Sequence, residues 1–225
     1  MPSCFKLFWI RIKTDIWNFI EYLQVVFYYY SNRKFAAVDW FMVRAYLIQN
    51  PFRMSKEFLL KKGEKDVNTY GETPLTTMDV IAEECGIAPN DIVYELGAGR
   101  GRTCFWLNTV IGCTVYGVEY LPAFVRIAQS AKRKFQISGV KLICRDLMEV
   151  DLEKATVIYF YGTTIKENEL QQLCEKLSKL SSDVKMITIS FPLSAYHRGF
   201  RTIKRFTVKF PWGTTDAYLQ KTFSN

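Results

Sequence analysis

The chain has 225 residues, 49% of them apolar and 23% charged, with a formal net charge of +8; this suits one well-buried core and excludes both a disordered chain and two full domains. Lys and Arg outnumber Asp and Glu by 11 to 6 over residues 1–70 and by 11 to 7 over 151–225, but stand at 8 to 9 over 71–150, so positive charge flanks a neutral middle and makes a nucleic-acid surface only if it clusters. Cys4, Cys85, Cys104, Cys113, Cys144 and Cys174 form no C-x-x-C pair and His197 is the single histidine, which argues against a zinc site, rules out a two-histidine mechanism, and reads as buried thiols of a reducing, intracellular or cytoplasmic setting.

Residues 5–30 are rich in aromatic and aliphatic side chains but are broken by Lys6, Arg11, Lys13, Asp15 and Glu21. That interruption excludes a spanning helix and a secretory signal. The pattern predicts two amphipathic helices, over 5–30 and 38–60, the second broken at Asn50-Pro51. These helices either cap the domain that follows or lie on a membrane surface as a peripheral contact. Residues 61–66, Lys-Lys-Gly-Glu-Lys-Asp, read as a polar linker. The chain thus divides into an N-terminal helical extension, 1–65, and a main domain, 66–225.

From Thr73 the periodicity sharpens. Thr73 is placed to N-cap a helix with Pro74 at its first position; Leu75, Met78, Ile81 and Cys85 share one face, and Gly86 closes the end. This helix should pack at the sheet edge. Strands are expected at 92–96, 114–118, 141–144, 156–161 and 185–191, with helices from Arg102, over 123–135 and over 166–180. Segments 201–209 and 216–222, either side of Pro211-Trp212-Gly213, read as an antiparallel hairpin. Strands alternating with helices imply a mostly parallel sheet with helices on both faces.

The turn after the first strand, Glu95-Leu96-Gly97-Ala98-Gly99-Arg100-Gly101, is the context in which a glycine loop approaches a nucleotide. The third glycine falls four positions after the first, where a dinucleotide fingerprint would place it at five. Glu95 would repel a pyrophosphate but suits a cation, and S-adenosyl-L-methionine carries an ammonium and a sulfonium with no phosphate. Glu119 ends the next strand, about twenty residues on, as an acid for the ribose hydroxyls. Asp146 follows the third strand, placed for the adenine amino group, with Leu147 beside the ring. Three acids at three successive strand ends point to one cofactor.

At Tyr70-Gly71-Glu72-Thr73, the helix after it, the glycine loop and Tyr116-Gly117-Val118-Glu119, the chain resembles the non-SET histone lysine methyltransferases of the telomeric-silencing-disruptor type. It is similar as well to the smaller lysine methyltransferases of the ATP synthase c subunit, a group with a hydrophobic N-terminal segment, to which Glu119-Tyr120-Leu121-Pro122 and Ser190-Phe191-Pro192 lean. The resemblance covers residues 66–192. It implies a Rossmann-like class I methyltransferase fold with a seven-stranded sheet, in which Tyr70, Gly71, Glu72 and Thr73 cover the methionine end of the cofactor above Glu95, Gly97, Gly99 and Gly101. After the fourth strand the histone-modifying group carries an asparagine pair, where this chain has Tyr159-Phe160-Tyr161-Gly162-Thr163.

Methyl transfer from a sulfonium needs an aligned neutral nucleophile and little else. For a lysine of a protein substrate, an aromatic channel beside a cationic cofactor favours the neutral amine through desolvation and like charge. Tyr70, Tyr161 and Phe191 are the candidates for that channel, and Glu72 for a proton acceptor. The competing readings are an RNA or small-molecule methyltransferase and a protein that only binds the cofactor. RNA would be favoured if Arg198, Arg201, Lys204, Arg205 and Lys209 gathered at the site entrance.

Overall fold

The protein is described by a computed structural model over residues 4–163 and 165–223. Its sheet has the order β3-β2-β1-β4-β5-β7-β6, from β1 (Ile92–Leu96), β2 (Thr114–Glu119), β3 (Val140–Cys144), β4 (Val157–Phe160), β5 (Lys185–Ile189), β6 (Phe200–Phe210) and β7 (Gly213–Thr222). β1 to β5 are mutually parallel, whereas β7 pairs antiparallel with both β5 and β6. The hairpin therefore sits at one edge, with its second strand inserted between β5 and the edge strand. β6 exposes Arg201, Lys204, Arg205 and Lys209, charges that discourage pairing with another chain.

Period-two alternation divides the strands between two cores. Val93, Val115, Val157, Tyr159, Ile187 and Ile189 face one, while Tyr94, Leu96, Val118, Ile158, Phe160 and Met186 face the other. Because central parallel strands are covered on both faces, they read as nearly continuous apolar runs. The second core is closed by α7 (Glu167–Leu177) through Leu170, Leu173, Cys174 and Leu177. The first lies under α4 (Leu75–Glu84), α5 (Arg102–Trp106, continued by a wider turn over Leu107–Ile111) and α6 (Pro122–Lys134).

Three N-terminal helices join the first core, where two were expected: α1 (Cys4–Tyr29), α2 (Arg33–Ile48) and α3 (Pro51–Lys61). Asn50-Pro51 indeed separates two of them, and does so by starting the next helix. The Asn50 carboxamide accepts from the Phe52 and Arg53 amides at 2.9 and 3.2 Å, with Pro51 in the first turn, where a missing N–H costs nothing. Val25, Tyr29, Phe35, Val38, Met42 and Tyr46 are buried in the same cluster as Val93, Trp106 and Phe124. Asp39 of α2, 1% exposed, is clamped by Arg102 at 2.5 and 2.9 Å and accepts from Tyr30 at 3.0 Å.

Thr73 does not cap α4. Its hydroxyl bonds the Tyr159 hydroxyl at 2.5 Å, and the cap position falls to Pro74, which has no side chain to offer. The exposed amide is met from another helix: Glu21 of α1 accepts from the Thr76 amide at 3.1 Å and from its hydroxyl at 2.5 Å. A carboxylate at a helix N-terminus is favourable for both hydrogen-bonding and dipole reasons. Gly86, at φ +59°, closes α4 as expected. The helix packs against β6, with the Thr77 hydroxyl donating to the Lys209 carbonyl.

Candidate cofactor and acceptor site

At the carboxyl ends of β1 to β4, where ligands bind in open α/β sheets, lies a cleft of about 370 Å³. One wall is Leu96, Gly97 and Gly99; the next strands add Glu119, Asp146 and Leu147, then Phe160 and Tyr161. The opposite wall comes from α3 and the segment after it, through Phe58, Leu59, Lys62, Glu64 and Asp66. Residues 61–66 thus form part of the site, beyond the linker role their polarity suggests. Lys62 lies 3.6 Å from the centre of the Tyr120 ring, and Glu64 pairs with Lys166 at 2.8 Å, so this segment is strapped across the cleft to both the turn after β2 and the residue preceding α7.

The glycine loop is held by its neighbours. Gly97 and Ala98 both donate to the Val118 carbonyl at 2.9 Å, and the Gly99 amide donates to Glu119 at 2.8 Å. Gly97, at φ +80°, has nothing within 4 Å of where a Cβ would stand, leaving open space beside the loop, whereas a Cβ on Gly99 would meet the Tyr70 hydroxyl at 3.1 Å. Gly101 does not line the cleft; it sits at the N-terminus of α5, where a Cβ would face Leu142 and Ala128. Its φ of +77° lies in the left-handed region that favours glycine.

Glu119 takes one backbone amide on each oxygen, Gly99 on one and Leu121 at 2.8 Å on the other. Each oxygen keeps a lone pair for a ligand hydroxyl. Burial pushes its carboxyl up, against the lowering pull of those amides. Asp146 accepts from the Met148 amide at 2.9 Å, an arrangement that presents the carboxylate at the cleft beside Leu147.

Glu95, 5% exposed, accepts from the Thr103 hydroxyl at 2.5 Å and the Cys104 thiol at 3.0 Å. Burial raises its pKa to about 7, the two donors opposing the shift. It faces a second, narrow hollow of about 30 Å³ shared with Gly71, Glu72, Thr73, Gly97 and Tyr161, enough room for ordered water. Gly97, Gly71 and Tyr161 line both spaces.

Glu72 departs from its expected role as a proton acceptor. Its carboxylate is forked onto Arg100 and takes the Tyr70 hydroxyl. Burial would raise its pKa, but the guanidinium and the hydroxyl outweigh that and hold it below the usual carboxylate range. A carboxylate committed to two strong donors is a poor base. Arg100 itself lies 4.9 Å from the Tyr46 ring of α2. Tyr70 packs against Phe124 and Phe52, with ring centres 5.3 and 5.4 Å away.

Tyr161 stands at the cleft with its hydroxyl accepting from the Trp212 indole at 3.2 Å and its ring 5.0 Å from Phe210. Trp212 is in the β6–β7 turn, which sequence spacing did not connect to the site. Phe191 falls away from the channel expected for it, packing on Phe160 and Tyr196. None of Arg198, Arg201, Lys204, Arg205 and Lys209 lines the cleft; Lys204 pairs with Glu84 and Arg205 with Asp216. Among the described residues no group of three or more His, Cys, Asp or Glu is arranged to hold a metal.

The residues suit S-adenosyl-L-methionine: a space of nucleoside-and-amino-acid size, a loop open beside Gly97, and carboxylates where a phosphate ligand would require cations. The fold and this site define a class I S-adenosylmethionine-dependent methyltransferase. The profile of the family described as "Histone methylation protein DOT1" matches residues 59–176, more than half of the chain, and the chain belongs to that family. No curated protein matches it.

Solved structures agree on the fold. An RNA methyltransferase from Salinibacter ruber, in complex with S-adenosyl-L-homocysteine, is 23% identical over 69% of this chain and 95% of its own, with a TM-score of 0.56. Geranyl diphosphate C-methyltransferase from Streptomyces coelicolor A3(2), in complex with Mg²⁺, geranyl-S-thiolodiphosphate and S-adenosyl-L-homocysteine, is 14% identical over 67% of this chain and 76% of its own, at 0.54.

Proposed function

We propose that the protein is a protein-lysine N-methyltransferase. The observation that carries this reading is the aromatic wall beside the glycine loop: Tyr70 and Tyr161 border the cleft on either side of Gly71, whose Cβ would meet Thr163 and Tyr161 at 3.3 and 3.4 Å. Aromatic side chains beside the cofactor loop suit a desolvated alkyl amine. The family's description, which names histone methylation, supports the same class of acceptor. The bases of β6 do not line the cleft, so they lend an RNA acceptor no support at its entrance.

In this reading Gly97, Gly99 and the segment 70–73 surround the methionine end, Glu119 accepts from the ribose hydroxyls, and Asp146 with Leu147 meets the adenine. When bound, the cofactor supplies an electrophilic methyl group on a sulfonium. Tyr70 and Tyr161 exclude water from the approaching amine, and their apolar ring faces favour its neutral form. No general base is required at the amine, consistent with Glu72 being held by Arg100. Alignment by the aromatic walls is then the main contribution of the protein.

The test is transfer of labelled methyl groups from S-adenosylmethionine to whole-cell protein and RNA fractions, followed by complete hydrolysis. Label in methyl-lysine, reduced at least tenfold by Tyr161→Ala with S-adenosylhomocysteine binding kept, is the expected result. Label confined to methylated nucleosides would reject it.

A further inference from the structure

Helix α1 turns its charge inward and its hydrocarbon outward. On one face Glu21, Val25 and Tyr29, spaced by four residues, are buried: Glu21 caps α4, and the Tyr29 hydroxyl donates to Asp79 at 2.7 Å. On the opposite face Ile16, Ile20, Leu23 and Phe27 follow one another at intervals of four, three and four, 55%, 49%, 51% and 81% exposed, with Phe19 at 62% beside them. This spacing lines one face of a helix for about 16 Å. Isolated exposed apolar residues are ordinary, whereas a continuous row of large ones marks a surface that something covers.

The charges around the row select what covers it. Arg11 and Lys13 are exposed towards one end and Arg33 and Lys34 at the other, where α2 begins. Of the acids in the same helices, Glu21 and Asp39 are turned inside, leaving Asp15, 3.9 Å from Arg11. An apolar stripe between exposed bases, with two of its three acids withdrawn and the third paired with Arg11, is the charge pattern of a helix lying in a lipid headgroup layer. No helix among the described residues is long and apolar enough to cross a membrane, so the contact belongs in the plane of the surface.

We propose that the outer face of α1 is a docking surface for an anionic lipid bilayer, with Phe19 and Phe27 entering the acyl boundary and the four bases meeting headgroups. The proposal is independent of which group is methylated, because the row lies outside the cofactor cleft.

The experiment is flotation of the full chain with phosphatidylcholine vesicles and with vesicles containing about 30% phosphatidylglycerol, beside an Ile20→Gln/Phe27→Gln variant. Both substituted side chains are exposed, so the fold should persist, which retained S-adenosylhomocysteine binding verifies. Wild type should float with the anionic vesicles, several-fold less with the neutral ones, and the variant should lose about tenfold or more of the partition. The proposal is overturned if wild type stays unbound to anionic vesicles, or if the variant floats equally well. It is overturned too if wild type is a dimer that the variant dissolves without any vesicle binding, since a second copy would then be the cover.

Discussion

Glu95 and Glu119 are both carboxylates beside the glycine loop, yet their surroundings give them different tasks. Glu95 has two weak neutral donors and a pKa raised to about 7 from an ordinary 4.5 by burial. Its folded form therefore holds a proton that the unfolded chain releases, so the stability it contributes is full below about 4.5 and is lost as pH rises through about 7, at about 1.4 kcal/mol per pH unit in that window. Glu95→Gln should melt at nearly the same temperature as wild type at pH 5 and above it at pH 8, both as apoprotein. Equal melting curves at both values would mean the group titrates normally. A cationic ligand would favour the ionised form, so cofactor affinity should strengthen across the same interval in wild type and not in Glu95→Gln. Glu119 is different because its two amide partners fix it as an acceptor. Glu119→Ala removes the anchor of the Gly99 amide and the ribose acceptor together, and S-adenosylhomocysteine should bind about 10- to 100-fold more weakly by calorimetric titration, the size of two lost charge-assisted hydrogen bonds. Unchanged binding would remove Glu119 from the site.

Among the elements, α3 and the strap after it show where sequence reasoning reached and where it stopped. The acids at the ends of β1, β2 and β3 were legible because strand, glycine turn and carboxylate are contiguous in the chain. The opposite wall was not, since Phe58, Leu59 and Lys62 meet the cleft only through tertiary packing. Trp212 reaches Tyr161 across 51 residues, and Glu21 replaces the expected Thr73 cap across 55; neither distance leaves a local pattern. Asn50-Pro51 did carry a signal, that of an N-cap followed by Pro, which marks a helix start as well as a helix end. The strap itself is bound by the Glu64–Lys166 pair, whose partners are partly exposed. Such a pair adds little to global stability, but it closes one side of the cleft. Lys166→Ala should leave the melting temperature within about 1 °C and raise the dissociation rate of S-adenosylhomocysteine several-fold in stopped-flow measurements. An unaltered rate would show that the strap does not limit exchange.

At the scale of the whole molecule, the boundary suggested by composition near residue 65 is not a boundary of packing. One apolar cluster runs from Val25 and Tyr29 through Phe35, Met42 and Tyr46 to Trp106, Phe124 and Val93. The Tyr29 and Trp106 rings meet edge to face at 5.4 Å, and the Asn32 carboxamide donates to the Thr109 carbonyl at 2.6 Å. Removing residues 1–31 would strip Val25 and Tyr29 from this cluster, at roughly 1.5–3 kcal/mol each, and would take the Glu21 cap from α4 at about 1 kcal/mol. Their sum is a large part of the roughly 5–15 kcal/mol that holds a domain folded. The truncated protein should therefore melt at least about 10 °C lower than the full chain or fail to fold, by circular dichroism with temperature. Glu21→Ala alone should account for only a small part of that loss. If instead the truncation melted within about 2 °C of the full chain and bound S-adenosylhomocysteine normally, α1 would be an appendage, and its inner face would have to be regarded as a surface contact. The outer row of α1 provides the internal comparison, because Ile20→Gln/Phe27→Gln alters the same helix without touching the shared core. A chain that tolerates the outer change and not the truncation has one helix serving two solvents, the protein interior on one side and what lies outside it on the other.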